Sequence, residues 1–455
     1  MSSTSIGSAL YSGSLSTTRT GGLGAGIDVA SLVSAAMAFQ TAQLQGMQSQ
    51  QSQLTTEQNA LTSFSNDLQA LSNAAFTLTD PAGPLTSVAA TSSNPSVLTA
   101  TAISGSANAA HSITVTNLAT TSSAYSAAVA TSSTAIATGS LSIQVGSGTA
   151  VPVTIDSSNN TLDKLAQTIN SKNMGVTATV INDASGARLA IVSNTSGAPG
   201  DLTITSSGGA LSFTKGVTGT NASLTVDGIP ISSTTNTVTS VIPGVTLNLA
   251  APAPGAPVTV NTGPNVTPQA AAVNSFVSAY NTVMGDLNKQ FTVDGSGQAG
   301  PLAADSTLIL AQNQLLSSMA FAMKGNGSVN MLADLGITMN NDGTLSVNNS
   351  ALSSALQNNP AAVQAFFQAT TAGSFGANLS QDVNLLADPT SGSVTQDMTG
   401  LQQSQSDLSH QISDFQGQLA ITQQQLTAQF DQVDVMLQTL PMMLTQISQQ
   451  LGSLG

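Results

Sequence analysis

The sequence predicts an α+β multidomain protein: a terminal α-helical coiled coil and a helical stem formed by both chain ends, with antiparallel β-rich head domains inserted between them. Three observations lead to this class. The chain has 455 residues, which is enough for about three domains of roughly 150 residues each. Apolar residues recur with heptad spacing at both ends, as in paired helices. Between the ends they alternate with polar residues, as in strands with one buried face.

The N-terminal end shows the first heptad pattern. No proline occurs between Ile27 and Leu78, so one helix can run through the segment. The apolar positions are spaced in threes, fours and sevens, which places them on one helix face. They are Leu44, Met47, Leu54, Leu61, Phe64, Leu68, Leu71, Ala75 and Leu78.

The C-terminal end carries a longer pattern, which we call the C-terminal seam. Its positions alternate in steps of four and three, and only the step from Leu426 to Phe430 interrupts the alternation. The seam positions are Leu408, Ile412, Phe415, Leu419, Thr422, Leu426, Phe430, Val433, Leu437, Leu440, Leu444, Ile447 and Leu451. Pro441 lies inside the seam, so the sequence predicts a kink or a restart of the helix near Leu437.

Strand patterns fill the middle of the chain. Short segments such as 141–145 and 245–249 alternate apolar and polar residues, with Gly, Asn and Ser between the segments. This pattern predicts antiparallel β-structure. Residues 162–169 have helical spacing, so one short helix is expected on a sheet. A proline-rich run at 251–268 marks the return to helices, one of which Asp305 is expected to cap.

The composition excludes several functional classes. Charged residues make up 6% of the chain, against about 25% in ordinary soluble proteins. Seven Lys and Arg face 21 Asp and Glu, giving a net charge of −14, which repels nucleic acid. The apolar windows contain Asp and Gln, which argues against membrane insertion. Residues 1–20 lack the apolar core of a cleaved signal peptide.

Catalytic and cofactor sites are not indicated. Cysteine is absent, which removes disulfides and thiolate ligands. His111 and His410 are isolated in the sequence, so no serine has a nearby base. Asp431 and Asp434 share a helix face, but a solvated or interface pair is the commoner meaning of that spacing. We therefore expect no enzyme activity, no cofactor and no metal.

Two short motifs resemble ligand-binding loops only in part. The glycines of residues 22–26 do not have the spacing of a phosphate-binding loop, and no strand precedes them. They predict a segment before a helix that is capped near Asp28. Residues 340–343 resemble the middle of a calcium loop, but the positions that should carry its carboxylate anchors do not. They predict a turn.

Six segments along the chain form a family signature. They are Gly22 to Asp28, Leu224 to Pro230, Ser240 to Leu249, Phe276 to Asn281, Gly300 to Thr307 and Leu335 to Leu345. Together they resemble the bacterial flagellar filament cap family, the hook-associated protein 2 family. The segment from Asn160 to Ser193, with Ile169-Asn170, resembles the flagellin IN motif. The resemblance covers nearly the whole chain.

The resemblance implies a folded-back molecule with four parts. These are 1–45 with 405–455 as a terminal coiled-coil leg, 46–86 with 265–404 as a helical stem, 87–138 with 208–264 as a β-rich head domain, and 139–207 as a second β-rich head domain with the IN-like motif.

The resemblance also implies a function. The protein would be a structural, non-enzymatic cap that oligomerises at the distal tip of the bacterial flagellum and promotes flagellin polymerisation, filament elongation and motility. Its implied partners are further copies of itself in a ring, flagellin and an export chaperone of the flagellar type III system. Its implied location is extracellular, reached without a cleaved signal peptide.

The apolar stripes of the two ends are the expected contacts with neighbouring subunits or with the filament. The expected contact residues are Leu44, Leu54, Leu61, Leu68, Leu426, Phe430, Leu437, Leu440, Leu444 and Ile447. The same stripes could instead form an ordinary core within one chain. Two other functions stay open: a hook–filament junction protein or flagellin-like subunit, and a surface adhesin whose neutral, Ser/Thr-rich head binds host glycan or mucin.

Overall fold

The computed structural model of the protein describes residues 28–452, except 294, 296 and 369–372. The glycine motif before Asp28 therefore lies outside the described residues, apart from Asp28 itself. The α-helices of the described part are α1 (Val29–Thr79), α2 (Leu162–Ser171), α3 (Val266–Phe291), α4 (Ser306–Met319), α5 (Asn349–Asn358), α6 (Pro360–Phe367), α7 (Phe375–Ala387) and α8 (Ser393–Gly452).

The strands lie between the helical ends, which confirms the predicted α+β class. They are β1 (Val88–Ser92), β2 (Leu98–Ala102), β3 (Ala109–Asn117), β4 (Thr121–Ser126), β5 (Gly139–Val145), β6 (Val151–Ile155), β7 (Val176–Asp183), β8 (Gly186–Ser196), β9 (Leu202–Ser207), β10 (Phe213–Val217), β11 (Ala222–Val226), β12 (Ile229–Ser233), β13 (Thr237–Ile242), β14 (Val245–Leu249), β15 (Val258–Pro264), β16 (Ile337–Met339) and β17 (Leu345–Val347).

Both predicted helix caps are present. The Ser31 backbone N donates to Asp28 Oδ1 over 3.2 Å at the start of α1. The Thr307 backbone N donates to Asp305 Oδ1 over 2.7 Å at the start of α4. Each carboxylate satisfies a backbone donor that the first helical turn leaves unpaired.

The chain forms two compact units, and both chain ends belong to one of them. This helical unit comprises Met1–Gln69, Gly285–Gln312 and Asn384–Gly455. Gln405 Nε2 on α8 donates to Thr55 Oγ1 on α1 over 2.7 Å. Helices from the two ends therefore lie side by side, as the fold class requires. Both α1 and α8 run without a break through the predicted boundary between leg and stem.

The mixed unit comprises Ala70–Met284 and Asn313–Val383 and contains all of the described β-structure. Its first head domain has a 5-stranded sheet in the order β1-β15-β3-β11-β12 and a 3-stranded sheet in the order β13-β14-β2. The strands pair antiparallel. Residues such as Leu98, Ile113, Val115 and Leu247 form one core between the sheets.

The second head domain is built from the middle of the chain. It has a 4-stranded sheet in the order β10-β4-β8-β7, a 3-stranded sheet in the order β6-β5-β9, and helix α2. Leu141, Leu165, Ile191 and Leu202 lie in its core. The short helix predicted from the spacing of residues 162–169 is α2, and its apolar face is buried in this core.

The border between the head domains differs from the predicted one. Residues 121–126 and 213–217 were assigned to the first head, but β4 and β10 pair with each other and β4 pairs with β8. The chain crosses between the heads near Thr120, whose backbone N donates to Thr220 O over 2.9 Å. Alternation shows which side of a strand is buried but not which strand lies beside it, so the border was misplaced.

The IN-like motif has a clear structural role. Ile169 on α2 is fully buried. The neighbouring Asn170 accepts a 2.7 Å hydrogen bond from the Ala178 backbone N and donates a 2.8 Å bond to Ala178 O. One amide side chain thus satisfies both backbone groups of a residue in β7 and fastens the helix to the sheet.

We expect Asn170→Ala to loosen this attachment. Leaving the paired backbone groups without partners costs about 1–3 kcal/mol, so the Ala178 amide should exchange its hydrogen at least about tenfold faster under native conditions. Native-state hydrogen exchange measures this directly. Gln167→Ala, at an exposed position of α2, is the matched control and should leave the Ala178 rate unchanged.

Phe375 is the centre of an aromatic cluster in the helical part of the mixed unit. Its ring stacks on Phe366 at 5.0 Å and meets Phe367 and Phe276 edge-on at 5.7 and 6.1 Å. All four side chains are almost completely buried. They join α3, α6 and α7 around a single core.

Candidate assembly surface

The last part of α8 presents an apolar stripe to solvent. We call this surface the tip stripe. Its members lie at steps of three and four, so they share one face of the helix over roughly 27 Å. They are exposed by between 44% (Leu440) and 67% (Leu451). The tip stripe consists of Val433, Leu437, Leu440, Leu444, Ile447 and Leu451.

The tip stripe continues the C-terminal seam, whose burial falls steadily along α8. Leu408 and Ile412 are buried. The next five seam positions, from Phe415 to Phe430, are half-buried. From Val433 onward the seam residues are exposed. A heptad face with one interruption, at the step from Leu426 to Phe430, is thus covered at its start and bare at its end, which is the character of an interaction surface.

The seam of α1 is used within the chain along part of its length. Leu61 and Leu68 are 1% and 0% exposed, so they cannot reach another molecule while the helical unit is folded. Their predicted role as oligomer or filament contacts is therefore wrong. Leu44 and Leu54 are half-buried and stay in the proposed contact set.

Pro441 does not restart the helix, contrary to one of the two predicted outcomes. Helix α8 is continuous from Ser393 to Gly452. Proline has no N–H, so the Leu437 carbonyl loses its usual helical donor. Because Leu437 and Leu440 are exposed, water can reach this carbonyl, and the helix continues through the proline.

The charges near the tip stripe are all negative. No Lys or Arg follows Lys324 in the sequence. Asp431 is exposed and Asp434 is half-buried, and Gln438 Nε2 donates to Asp434 Oδ2 over 2.7 Å. Asp434 is thus bonded to a side chain of its own helix, and Asp431 and Asp434 belong to the polar edge of α8. This chain therefore offers a partner apolar contact and hydrogen-bond acceptors at the stripe, but no cation.

A pair of carboxylates lies inside the helical unit. Asp67 on α1 contacts Asp286 on α3, and Lys289 Nζ donates to Asp286 Oδ1 over 2.8 Å. Burial and contact with the Asp286 carboxyl raise the pKa of Asp67 to about 6. Contact with Asp67 and Lys289 lowers the pKa of Asp286. Below about pH 6 Asp67 therefore holds a proton while Asp286 stays ionised.

A second carboxylate pair joins α8 to the residue before α4. Burial and the neighbouring Asp305 carboxyl raise the pKa of Asp397 to about 6. Asp397 Oδ2 is buried and has no hydrogen-bond partner among the described residues. A protonated Asp397 suits this environment better than an ionised one.

We expect Asp67→Asn to stabilise the helical unit at neutral pH. The folded unit binds the Asp67 proton more tightly than the unfolded chain does, so the stability from this group falls as pH rises from about 4 to about 6. After a reduction for solvent screening, the gain at about pH 7.5 is about 1 kcal/mol. Urea unfolding at about pH 5 and about pH 7.5 measures it.

The matched control for this variant is Asp407→Asn. Asp407 lies on an exposed part of α8 and accepts a 2.8 Å hydrogen bond from Gln403 Nε2. Its replacement removes the same charge without relieving a carboxylate pair. A gain of equal size in the control would contradict our explanation.

The two histidines lie in different parts of the chain. His111 Nδ1 lies 2.7 Å from Asp227 Oδ2 in the first head domain, whereas His410 is exposed on α8. Residues 340–343 form the predicted turn, in which the Asn340 backbone N donates to Thr344 O over 2.8 Å. Within the described ranges, no group of three or more His, Asp or Glu could hold a metal ion.

None of the helices in the described part of the chain combines the length and the apolar character that a membrane span requires.

Comparison with family models gives two matches that lie on both sides of the second head domain. Residues 25–122 match the model of the flagellar hook-associated protein 2 N-terminus. Residues 219–441 match the model of the flagellar hook-associated protein 2 C-terminus. The chain belongs to the flagellar hook-associated protein 2 family. The predicted family is confirmed, and with it the prediction of a filament cap protein rather than a flagellin or a junction protein.

Curated members of the hook-associated protein 2 family align with much of the chain. The B-type flagellar hook-associated protein 2 of Pseudomonas aeruginosa is 31% identical over 314 residues, covering 62% of this chain and 66% of the relative. The flagellar hook-associated protein 2 of Escherichia coli K12 is 28% identical over 376 residues, covering 76% of this chain and 79% of the relative. The alignments thus span about two thirds or more of these relatives.

A solved hook-associated protein 2 has the same fold. The crystal structure of the D1-D2-D3 domains of the Escherichia coli flagellar cap protein superposes with a TM-score of 0.56 at 24% identity. The match covers 75% of this chain and 99% of that chain. The predicted nesting of β-rich domains between helical ends is therefore an architecture that also occurs in a solved cap protein.

Sequence reasoning missed the two carboxylate pairs. Asp67 precedes the buried Leu68 on α1, and Asp286 precedes the buried Leu287 on α3. Each acid therefore sits beside an apolar core position, which is the local signal of partial burial. Their mutual contact depends on how α1 and α3 pack, and no spacing within either helix indicates it.

Proposed function

We propose that this member of the hook-associated protein 2 family caps the distal end of the flagellar filament as a homo-oligomer and promotes the addition of flagellin beneath it. The observation that carries the proposal is the tip stripe, an exposed continuation of a buried heptad seam on α8. A surface of this kind is suited to another helix of matching apolar pattern. Helical ends of neighbouring subunits or of the filament would supply such a partner.

The energetics favour apolar docking at the tip stripe. Burying one Leu or Ile side chain completely contributes about 1.5–3 kcal/mol, and these residues are about half exposed before docking. Four of them, Leu437, Leu440, Leu444 and Ile447, therefore contribute several kcal/mol together, which is enough to offset the ordering of the partner helices. The half-buried Leu426 and Phe430 extend the contact toward the covered part of the seam.

The charge distribution supports association through α8 without ion pairs. Most of the acidic residues lie in the helical unit, whereas only Arg19 and Lys289 among the Lys and Arg residues do. Salt bridges between copies of this unit are therefore rare. The proposed ring is held together by apolar burial, and its affinity should depend only weakly on salt concentration.

The proposed cap works outside the cell and without catalysis. It reaches the filament tip through the flagellar export system, with an export chaperone as a transient partner, and its work there is steric guidance of flagellin. The lack of a metal-binding group within the described ranges is compatible with this role. The adhesin function for host mucin stays a prediction that no observation on the head domains yet favours.

Sedimentation of the full chain tests the proposed self-association. We expect a concentration-dependent oligomer in the micromolar range, because burial of the apolar seam outweighs the repulsion between the acidic helical units. Raising the salt concentration should change the distribution only slightly. A strictly monomeric chain over this range would contradict the proposed ring.

A further inference from the structure

Methionines line one edge of the tip stripe. Met436 and Met443 are 66% and 61% exposed. On a helix of 3.6 residues per turn they lie about 60–80° to one side of the stripe. Met436 is one turn from Leu440, and Met443 is one turn from Ile447. Their side chains therefore widen the apolar surface on which docking depends.

A third methionine of α8 provides an internal comparison. Met442 is 67% exposed, but it points about 180° away from the stripe. Elsewhere in the described chain, Met331 and Met339 are each 43% exposed, whereas Met284 and Met319 are 0% and 5% exposed and are shielded in the core. Met436, Met442 and Met443 are therefore open to solvent, unlike Met284 and Met319. Of these three, only Met436 and Met443 lie beside the tip stripe, since Met442 is on the opposite face of α8.

The thioether sulfur of an exposed methionine is an oxidation target. A peroxide breaks its O–O bond, transfers one oxygen atom to Sδ to form a sulfoxide, and leaves as water or an alcohol. The sulfur loses two electrons and the peroxide gains them. The product is polar and disrupts apolar interfaces. The chain contains no cysteine, so no thiol competes for the oxidant.

We infer that Met436 and Met443 are modification sites for peroxides, and that their conversion to sulfoxides switches off docking at the tip stripe. The inference rests on the proposed function, because it takes the stripe as the docking surface. Oxidation acts on the free subunit. Once the stripe is docked, the two sulfur atoms are covered and become resistant to peroxide.

Co-sedimentation of the full chain with isolated flagellar filaments tests the inference. Hydrogen peroxide is the probe, and peptide mass spectrometry follows sulfoxide formation at each methionine. The wild type, Met436→Leu with Met443→Leu, and Met442→Leu as the matched control are each measured with and without treatment, and each treated sample is compared with its own untreated sample. Leu keeps the apolar surface but has no sulfur.

We expect peroxide to weaken filament binding of the wild type and of Met442→Leu by about tenfold or more, since a polar group then lies at the edge of the contact. The Met436→Leu, Met443→Leu variant should keep its binding after treatment. Filament-bound wild type should show slower sulfoxide formation at Met436 and Met443 than free wild type.

The outcomes separate the inference from the function on which it rests. Undiminished binding by wild type that carries both sulfoxides overturns the inference alone, as does an equal loss of binding in the double-Leu variant. If untreated wild type does not bind filaments, the proposed docking surface falls, and the inference falls with it.

Discussion

Replacing Leu440 and Leu444 together by Asp is expected to abolish filament capping while both compact units stay folded. The two residues are 44% and 59% exposed, so the isolated chain loses little buried apolar surface. On docking, each new carboxylate must leave water at a cost of several kcal/mol unless a cation pairs with it. This chain offers no Lys or Arg after Lys324.

Cells that carry the double variant should release flagellin monomers into the medium instead of extending filaments. Immunoblotting of culture supernatants and electron microscopy of filaments measure this outcome, and circular dichroism of the purified chain checks its fold. The matched control is Gln446→Asp with Gln449→Asp, which adds the same charge on the opposite, exposed face of α8. Normal filaments from the Leu440, Leu444 variant would contradict the role of the tip stripe.

The fold class could be predicted from the sequence because its signals are local. Heptad spacing gives α1 and α8 whatever they pack against, and the caps at Asp28 and Asp305 follow from residue type and position. The short helix α2 follows from the spacing of Leu162, Leu165 and Ile169. Each of these predictions depends only on neighbours along the chain.

The sequence could not show in the same way which apolar seam residues are buried within the chain and which are exposed for assembly. Leu61 and Leu440 occupy equivalent positions in their apolar patterns, yet one is 1% and the other 44% exposed. Periodicity shows that a helix face is apolar, but it does not show how many helices cover it. That number depends on how the other helices of the unit pack against the long helices, which only the packed structure provides.

The border between the head domains shows the same limit in β-structure. β4 buries Ser122, Ala124 and Ser126, which is not an apolar pattern that the sequence reveals, and its partners β8 and β10 lie many residues further along the chain. Strand pairing over such distances is set by the shape of the whole sheet. The IN-like motif was recognisable from Ile169-Asn170, whereas its purpose, satisfying both backbone groups of Ala178, required the structure.

The aromatic cluster gives the largest expected change in stability. We expect Phe375→Ala to destabilise the mixed unit by about 3–5 kcal/mol, because it removes a buried ring that contacts four other rings and leaves a cavity. For a unit of this size the unfolding temperature should fall by about 10 °C. Thermal unfolding followed by circular dichroism measures the shift.

A series of substitutions in α7 distinguishes the loss of Phe375 packing from a general effect of altering this helix. Phe375→Leu keeps part of the buried volume and should cost less than Phe375→Ala, since the cavity that remains is smaller. Leu385→Ala shortens a side chain on the same helix that is 61% exposed, and it should change stability by less than about 0.5 kcal/mol. An equal loss in Phe375→Ala and Leu385→Ala would contradict the packing explanation, because Leu385 is mostly exposed and Ala has a higher helix propensity than either Phe or Leu. The Phe375 ring stacks on the Phe366 ring with 5.0 Å between their centres. This contact favours the packing explanation, because Phe366 can fill the space left by Phe375 only if α6 moves.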